Sequence, residues 1–536
     1  MKIRDFSETS KRIYDIIIIG GGIVGTGIAR EAARRGFKVI LFEKEDFSYG
    51  TTAKSSRLIH GGLRYLEMLD FKLVFKDLQE REKLLKLAPH LIHPLPFLIP
   101  VYKDGPKSKL KLKLGMLIYD LLSYNKSLPS HKFLSASQVL KVEPKLKGDG
   151  LIGAFLYYDC QVPFVERLSI ENVVDALNNG AIIFNHAEVK DLIKDDRKIL
   201  GVRVNDKLSF KEFDFYSKIV VNATGPWAKN ITNGVNNKNL LITTKGIHFT
   251  APKATKHAIV LYSRAEERLF FVIPWYNYSL VGTTDTYYSG DLDEVKVEKE
   301  DMDYLLKEVK YFLPHVDWGK IYFTYAGVRP LVKVKNTKSP SKISRAYKIF
   351  DHGSEGLNGL ISVLGVKITS YRLASEETVN LIEKKLSLRV KSKSDIIPLP
   401  GAMGINNFSL YLKEKKNYAV KFGLSEDQIE YLINIYGSRF NRIIDIIIKK
   451  PKLKERICKH NLDIMAQVFL AVRDELALTV SDFMFRRVPI AYSECQGLDG
   501  LEKVVSYMGE ILSWDDEKIK EEISSYKKEV EKIKAS

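Results

Sequence analysis

The run Tyr14-Asp15-Ile16-Ile17-Ile18-Ile19 leads without a break into Gly20-Gly21-Gly22-Ile23-Val24-Gly25, and this junction constrains how the chain can begin to fold. The β-branched run marks a strand buried on both faces, as in a parallel sheet. Thr26 to Arg35 then carries small residues on one side at helical spacing, Gly36 stops it, and Lys38 to Glu43 reads as the next strand. The result is a βαβ unit whose turn is a G-x-G-x-x-G. Gly20 permits the tight turn, Gly22 lets a pyrophosphate approach the backbone, and Gly25 lets the helix pack closely on the strand. The phosphates of a dinucleotide would meet the helix N-terminus, with its unpaired N–H groups and positive dipole end. Glu43 ends the second strand 18 residues after Gly25, where a carboxylate accepts hydrogen bonds from the adenosine ribose and repels a 2′-phosphate. FAD and NAD fit this unit equally.

Two later segments favour FAD. Val220-Val221-Asn222-Ala223-Thr224-Gly225-Pro226-Trp227 reads as a strand entering a second glycine turn, and Gly359 to Gly365 repeats that ending. A single dinucleotide domain rebuilt from dispersed pieces suits FAD, which is longer than one βαβ turn can hold. At 536 residues the chain exceeds one compact core, so two or three domains are expected. Phe71 to Leu87 is helical, and Pro89, Pro94, Pro96 and Pro100 break the pattern. Lys103 to Lys113 is a basic stretch feeding the apolar segment Leu114 to Leu122. Strands are expected over Ile182–Val189, Ile199–Val204 and Lys218–Val221, then a mostly β region from Leu241 to Val332. Lys391 to Gly401 reads as a linker, and helices follow. The last helix places Ile519, Ile523, Tyr526, Val530 and Ile533 on one face, a packing pattern.

A formal net charge of +18 draws anions, which admits a phosphorylated substrate, anionic lipid or nucleic acid. The lysines are scattered and no nucleic-acid motif appears, so nucleic acid is excluded as a partner. Cys160, Cys458 and Cys495 lie outside metal-ligand spacing of one another, so no thiolate zinc or iron–sulfur site is expected. So few thiols fit a reduced, intracellular protein without structural disulfides. Met1 to Lys11 lacks an apolar signal core, and no apolar run reaches the roughly 18 residues of a membrane span. Any membrane contact is then peripheral.

Several blocks in order resemble the FAD-dependent glycerol-3-phosphate dehydrogenases of the aerobic, quinone-linked type. They are Ser55-Ser56-Arg57-Leu58-Ile59-His60-Gly61-Gly62-Leu63-Arg64-Tyr65-Leu66, Lys245-Gly246-Ile247-His248, Val281-Gly282-Thr283-Thr284-Asp285, Ala326-Gly327-Val328-Arg329-Pro330-Leu331 and Lys367-Ile368-Thr369-Ser370-Tyr371-Arg372. Glu475 to Arg487 resembles the C-terminal signature of the same enzymes. Val366 departs from the pattern, which has a second glycine beside Gly365. The resemblance implies an α/β fold: a Rossmann-like, discontinuous FAD-binding domain of the D-amino-acid-oxidase kind, a β-rich substrate domain and a helical C-terminal domain. The FAD-binding parts would span 11–79, 152–230 and 332–390, the substrate domain 80–151 and 231–331, and the helical domain 395–536.

The same resemblance implies oxidation of sn-glycerol 3-phosphate to dihydroxyacetone phosphate, with hydride passing to flavin N5 and electrons on to a quinone. His248 is the expected base and Arg329 the group that stabilises the developing alkoxide or the phosphate. Arg64, Tyr65, Arg329, Lys367 and Thr369 are the expected substrate contacts. Gly20, Gly22, Gly25, Glu43, Thr52, Ser55, Ser56, His60, Gly61, Gly225, Gly365 and Lys367 are the expected FAD contacts, though Thr52, Ser55 and Ser56 fit helix capping as well. The enzyme would be cytoplasmic, peripheral on the inner face of the membrane, with direct lipid contact, a separate partner subunit or a homodimer all compatible. A flavin oxidase for an amine, amino acid or 2-hydroxy acid, and an oxygen-using glycerol-3-phosphate oxidase, are the rival enzymes. The compact spacing between blocks favours a dehydrogenase.

Overall fold

A computed structural model describes residues 4–232, 240–265, 268–333, 343 and 345–534, so Met1 to Ile3 of the N-terminal segment lie outside it. The strand Ile13–Ile19 forms as its sequence demands. It lies at the centre of a sheet ordered Lys348–Asp351, Leu360–Leu364, Lys211–Asn222, Ile13–Ile19, Val39–Phe42, Ile182–Phe184. Its neighbours Lys211–Asn222 and Val39–Phe42 run parallel to it. Ile16 and Ile18 join the core on one face, against the helix Ile23–Arg34, while Ile17 and Ile19 join the core on the other. Burial on both faces is why the run is continuously apolar.

The second sheet is mixed and has ten strands. Leu241–Pro252 pairs antiparallel with both Tyr278–Gly282 and Thr324–Val332, which places His248 and Arg329 on neighbouring strands. The prolines after Leu87 do end a helix, but Pro94, Pro96 and Pro100 lie within a ten-residue strand, His93–Tyr102. The expected strand Ile182–Val189 is split, because His186 adopts a positive φ of 49° between Ile182–Phe184 and Ala187–Asp195. The region from Leu241 to Val332 also holds a helix, Lys299–Phe312.

The chain after residue 400 is helical and has its own core, into which the last helix, Asp516–Ile533, buries Tyr526 and Val530. Buried charges fasten this unit to the first sheet. Arg487 clasps Asp46 with two hydrogen bonds of 2.7 and 2.9 Å, Arg486 adds a third of 2.8 Å, and Arg167 pairs with Glu475 at 2.6 Å. Cys458 and Cys495, distant in sequence, come together in this unit, their sulfurs 3.9 Å apart.

Arg57 lies where all three units meet. It makes a bidentate pair with Glu166 at 2.7 and 2.9 Å, both side chains having no exposed surface. Its guanidinium also stands over Trp275 of the second sheet and Tyr492 of the helical unit. Glu166→Ala leaves a buried cation unpaired and is expected to cost about 3–5 kcal/mol in a urea melt. The double substitution Arg57→Met with Glu166→Leu should recover most of that loss, since it removes both charges together.

Candidate active site

The strands Ile13–Ile19, Lys211–Asn222 and Leu360–Leu364 end on one cavity of about 710 Å³. Gly20, Gly22, Gly225 and Gly365 line it. A Cβ at Gly25 would overlap the Gly20 carbonyl oxygen, so the third glycine serves packing behind the wall. Gly22 caps the helix Ile23–Arg34 without a side chain, which leaves that N-terminus open to an anion. Glu43 lines the cavity as well, its two oxygens accepting the N–H of Gly21 at 2.6 Å and of Glu45 at 2.8 Å; burial pushes its carboxyl upward.

The remaining expected FAD contacts divide. Thr52 lines the cavity, but its hydroxyl accepts the Ile23 N–H at 3.1 Å and so does a capping task. Ser55 accepts the Arg57 N–H at 3.3 Å, and Ser56 is bonded to His248 Nε2 at 2.9 Å. His60 faces the cavity, and burial lowers its imidazole. Gly61 does not line the cavity: its N–H donates to the Tyr119 hydroxyl at 3.0 Å, and a Cβ there would strike Leu78. Val366 is half-buried on the cavity wall beside Gly365, whose φ of 75° suits glycine.

The second sheet brings the polar end. Tyr325 stacks on His248 with ring centroids 5.0 Å apart. Glycines make room for both candidate catalytic side chains: a Cβ at Gly282 would strike the His248 ring, and one at Gly246 would strike the Arg329 guanidinium. That explains the glycines of the Lys245–His248 and Val281–Asp285 blocks. His248 Nδ1 is buried without a hydrogen-bond partner among the described residues. Burial first, then Arg329 and Arg57, hold this imidazole well below the usual histidine range, so it is neutral.

Arg329 donates to Thr283 Oγ1 at 2.6 Å and to the Thr284 carbonyl and Asp285, each at 3.1 Å. Burial brings it down to about 10, so it remains charged at neutral pH. Arg345 pairs with the other Asp285 oxygen at 2.9 Å, and Arg268 donates to the Thr283 carbonyl. Burial pushes Asp285 up, but Arg329 and Arg345 outweigh that and hold it below the usual carboxylate range. Arg64 lines the same region, and its pKa is lowered by burial and by Arg345 and Arg268. Arg345 Nη1 is buried and without a partner among the described residues, a donor suited to an incoming anion. Lys367 is paired with buried Asp77 and sits 4.4 Å from the Tyr65 ring centroid. The Thr369 hydroxyl is engaged with the His60 backbone at 3.1 and 3.3 Å.

Sequence reasoning missed Arg268, Arg345 and Asp285. Asp285 had a signal, since it closes the Val281–Asp285 block; the two arginines sit singly in segments without periodicity. The chemistry available is an open helix N-terminus and glycine floor at one end, and a neutral imidazole among four arginines at the other.

Comparison with known proteins agrees with this layout. A family model described as FAD dependent oxidoreductase matches residues 15–361, and one for the C-terminal domain of alpha-glycerophosphate oxidase matches 392–519. A glycerol-3-phosphate dehydrogenase of Synechocystis sp. is 37% identical, covering 98% of this chain and 97% of its own length. The aerobic glycerol-3-phosphate dehydrogenase of Bacillus subtilis is 34% identical, covering 96% and 94%. The solved glycerol-3-phosphate dehydrogenase from Bacillus halodurans, complexed with FAD, superposes with a TM-score of 0.82 at 26% identity over 98% of this chain and 96% of that one.

A pH dependence of stability follows from the buried imidazoles. His248 and His90 are held well below the ordinary value by burial, and His60 and His93 are lowered too, whereas Asp482 raises His186 against the cost of its burial. Below about pH 6.5 the unfolded chain takes up protons on the depressed histidines and the folded chain does not. Stability is therefore present above that pH and lost as pH falls below it, by about 1.4 kcal/mol per pH unit for each such imidazole. Urea midpoints measured across this window should show a shallower acid slope in His248→Asn, by about one proton's worth.

Proposed function

The chain belongs to the FAD-dependent oxidoreductases, among the glycerol-3-phosphate dehydrogenases, and from that premise we propose that it binds FAD and oxidises sn-glycerol 3-phosphate to dihydroxyacetone phosphate. The observation that carries this reading is the meeting of a neutral histidine with an arginine cluster, one of whose buried nitrogens lacks a partner among the described residues. Bound FAD supplies flavin N5 as hydride acceptor and a store of electrons for a quinone. Gly20, Gly22, Gly225 and Gly365 admit its phosphates and ring system close to the backbone, and Glu43 takes the ribose hydroxyls. Ser55, His60 and Lys367 flank the flavin end.

Arg345, Arg268 and Arg64 hold the substrate phosphate, for which planar, permanently charged donors are suited. The hydrogen bond between the Ser56 hydroxyl and His248 Nε2 orients the ring; in the tautomer that carries its proton on Nε2, Nδ1 is the base for the substrate hydroxyl. Arg329, anchored by Thr283, Thr284 and Asp285, stabilises the oxyanion left behind. Tyr65 and Thr369 position Lys367 and His60, respectively.

The electron acceptor is reached at a surface. The helix Lys109–Leu122 turns Leu112, Gly115 and Ile118 into the cavity wall, while Leu110, Leu114, Leu117 and Leu121 are 77, 59, 51 and 73% exposed. Leu69 and Phe71 on the neighbouring segment extend this apolar face, and Lys109, Lys111 and Lys113 border it. Among the described residues no helix is long and apolar enough to cross a membrane. An apolar face with a basic border suits peripheral docking on the anionic, cytoplasmic leaflet, where a quinone is at hand.

Anaerobic addition of sn-glycerol 3-phosphate to the FAD-loaded protein should bleach the flavin absorbance; glycerol and a 2-hydroxy acid should not. Bleaching by an amino or hydroxy acid alone would reject the substrate assignment. His248→Asn should lower the rate of reduction by about 10²–10⁴-fold with the flavin still bound. Arg345→Ala should chiefly raise KM, by roughly 10–150-fold for a lost charge-assisted hydrogen bond of about 1.5–3 kcal/mol. In the wild type the rate should decline only well below pH 6.5, since burial keeps His248 unprotonated above it. Leu117→Glu with Leu121→Glu should abolish co-sedimentation with anionic vesicles and spare flavin reduction.

A further inference from the structure

Cys458 and Cys495 are 37 positions apart in sequence, yet their sulfurs face each other at 3.9 Å in the helical unit. An Asp499 carboxylate oxygen lies within 4.8 Å of both sulfurs, and His460 Nε2 is 3.7 Å from Asp499 Oδ2. Cys458 sits in a turn closed by the Arg456–Ile464 bridge, and Cys495 leads into a turn at Gly497, where φ is 69°. The Asn461 side-chain amide adds a donor to each sulfur, at 3.0 and 3.3 Å, and Ser493 Oγ stands 3.3 Å from Cys495.

A neutral thiol is a weak acceptor and a thiolate a strong one, and the Asn461 amide is placed to serve both sulfurs. The spacing distinguishes two uses of the pair. A disulfide needs sulfurs about 2.0 Å apart. Two thiolates on one tetrahedral zinc ion, each bond about 2.3 Å, stand about 3.8 Å apart. The observed separation fits the second, as it also fits two reduced thiols in hydrogen-bonded contact. Cys458 is buried, Cys495 half-buried and Asp499 exposed, which gives an ion a way in from solvent.

We propose that Cys458, Cys495 and Asp499 form a structural site for a thiophilic divalent cation, solvent completing its coordination, with zinc the best match to a sulfur and carboxylate set. Binding displaces the thiol protons to solvent and moves no electrons. The ion clips the turn at residues 456–464 to the segment that follows Tyr492. That tyrosine packs on Trp275, with ring centroids 5.7 Å apart, and against Arg57, so the clip steadies the contact between the helical unit and the second sheet.

The test uses the full-length, FAD-loaded protein, kept reduced, stripped by a chelator and titrated with cobalt(II) and then zinc(II). One equivalent of cobalt should give a thiolate-to-cobalt charge-transfer band with the visible bands of a four-coordinate ion, and one equivalent of zinc should remove them. Cys458→Ser and Cys495→Ser should each abolish the bands while flavin reduction by substrate persists, which shows that the variants fold. Asp499→Asn should weaken cobalt binding, and zinc should raise Tm in the wild type but not in the cysteine variants. A silent cobalt spectrum, with both thiols reacting equally fast in the presence and absence of zinc, would overturn the proposal. So would the metal-free protein oxidising this pair to a reductant-sensitive disulfide that accounts for the Tm increase.

Discussion

The ion pair between Arg57 and Glu166 is the joint on which the rest of the structure turns. Glu166 belongs to the helix Val165–Asn178, which packs beneath the first sheet, while Arg57 precedes the short strand Leu58–Ile59 of the second. Burying both charges completely costs desolvation that their attraction only approximately offsets, so the pair is better understood as a device for register than as a source of net stability. Its planar geometry matters: a guanidinium can bind a carboxylate edge-on and stand over the rings of both Trp275 and Tyr492 at once, which an ammonium cannot do. The next residue back, Ser56, holds His248. The orientation of the imidazole is thus tied within one residue to the contact among all three units.

A second set of buried charges repeats this logic on the far side of the dinucleotide end. Asp46 lies three residues beyond Glu43 and receives both Arg486 and Arg487. The Asp482–Arg487 segment, read from sequence only as a family signature, is therefore the foot on which the helical unit stands. Its π-helical form lets consecutive arginines reach one carboxylate, and Asp482 itself turns to His186 at 2.9 Å. The loop below the expected ribose site is braced from a unit some 440 residues away in sequence.

Features set by local backbone geometry were legible in the sequence. Gly25 answers the Gly20 carbonyl five residues before it and Gly20 adopts a φ of 105°, and the alternation of Ile16 to Ile19 between two cores follows from strand geometry alone. His248 and Arg329 were legible through the family resemblance of the blocks that carry them, and the fold adds that Gly282 and Gly246 clear space for their side chains. Arg268, Arg345 and the cysteine pair were not, since each depends on segments brought together only by the fold. The prolines of His93–Tyr102 misled for a related reason: a missing N–H argues against a strand only when its neighbours are known. Thr52 and Gly61 have the residue types of a cofactor site, but the first caps a helix and the second packs against Leu78.

Electrostatics give the cavity a direction. The glycine end carries the buried carboxylate of Glu43, already bonded to two backbone N–H groups, and a helix N-terminus whose field falls off within about one turn. The other end carries four arginines with Asp285 paired to two of them, and their partial burial weakens screening by solvent. A dianion gains most at the second end, and a ribose hydroxyl pair at the first. Asp285 does not cancel this asymmetry. It spaces Arg329 and Arg345 on its two oxygens, which relieves the repulsion that would otherwise separate the guanidiniums, and it leaves their excess positive charge for a ligand to neutralise. A carboxylate at the centre of an anion site is thus part of what allows so many cations to be held together before the anion arrives.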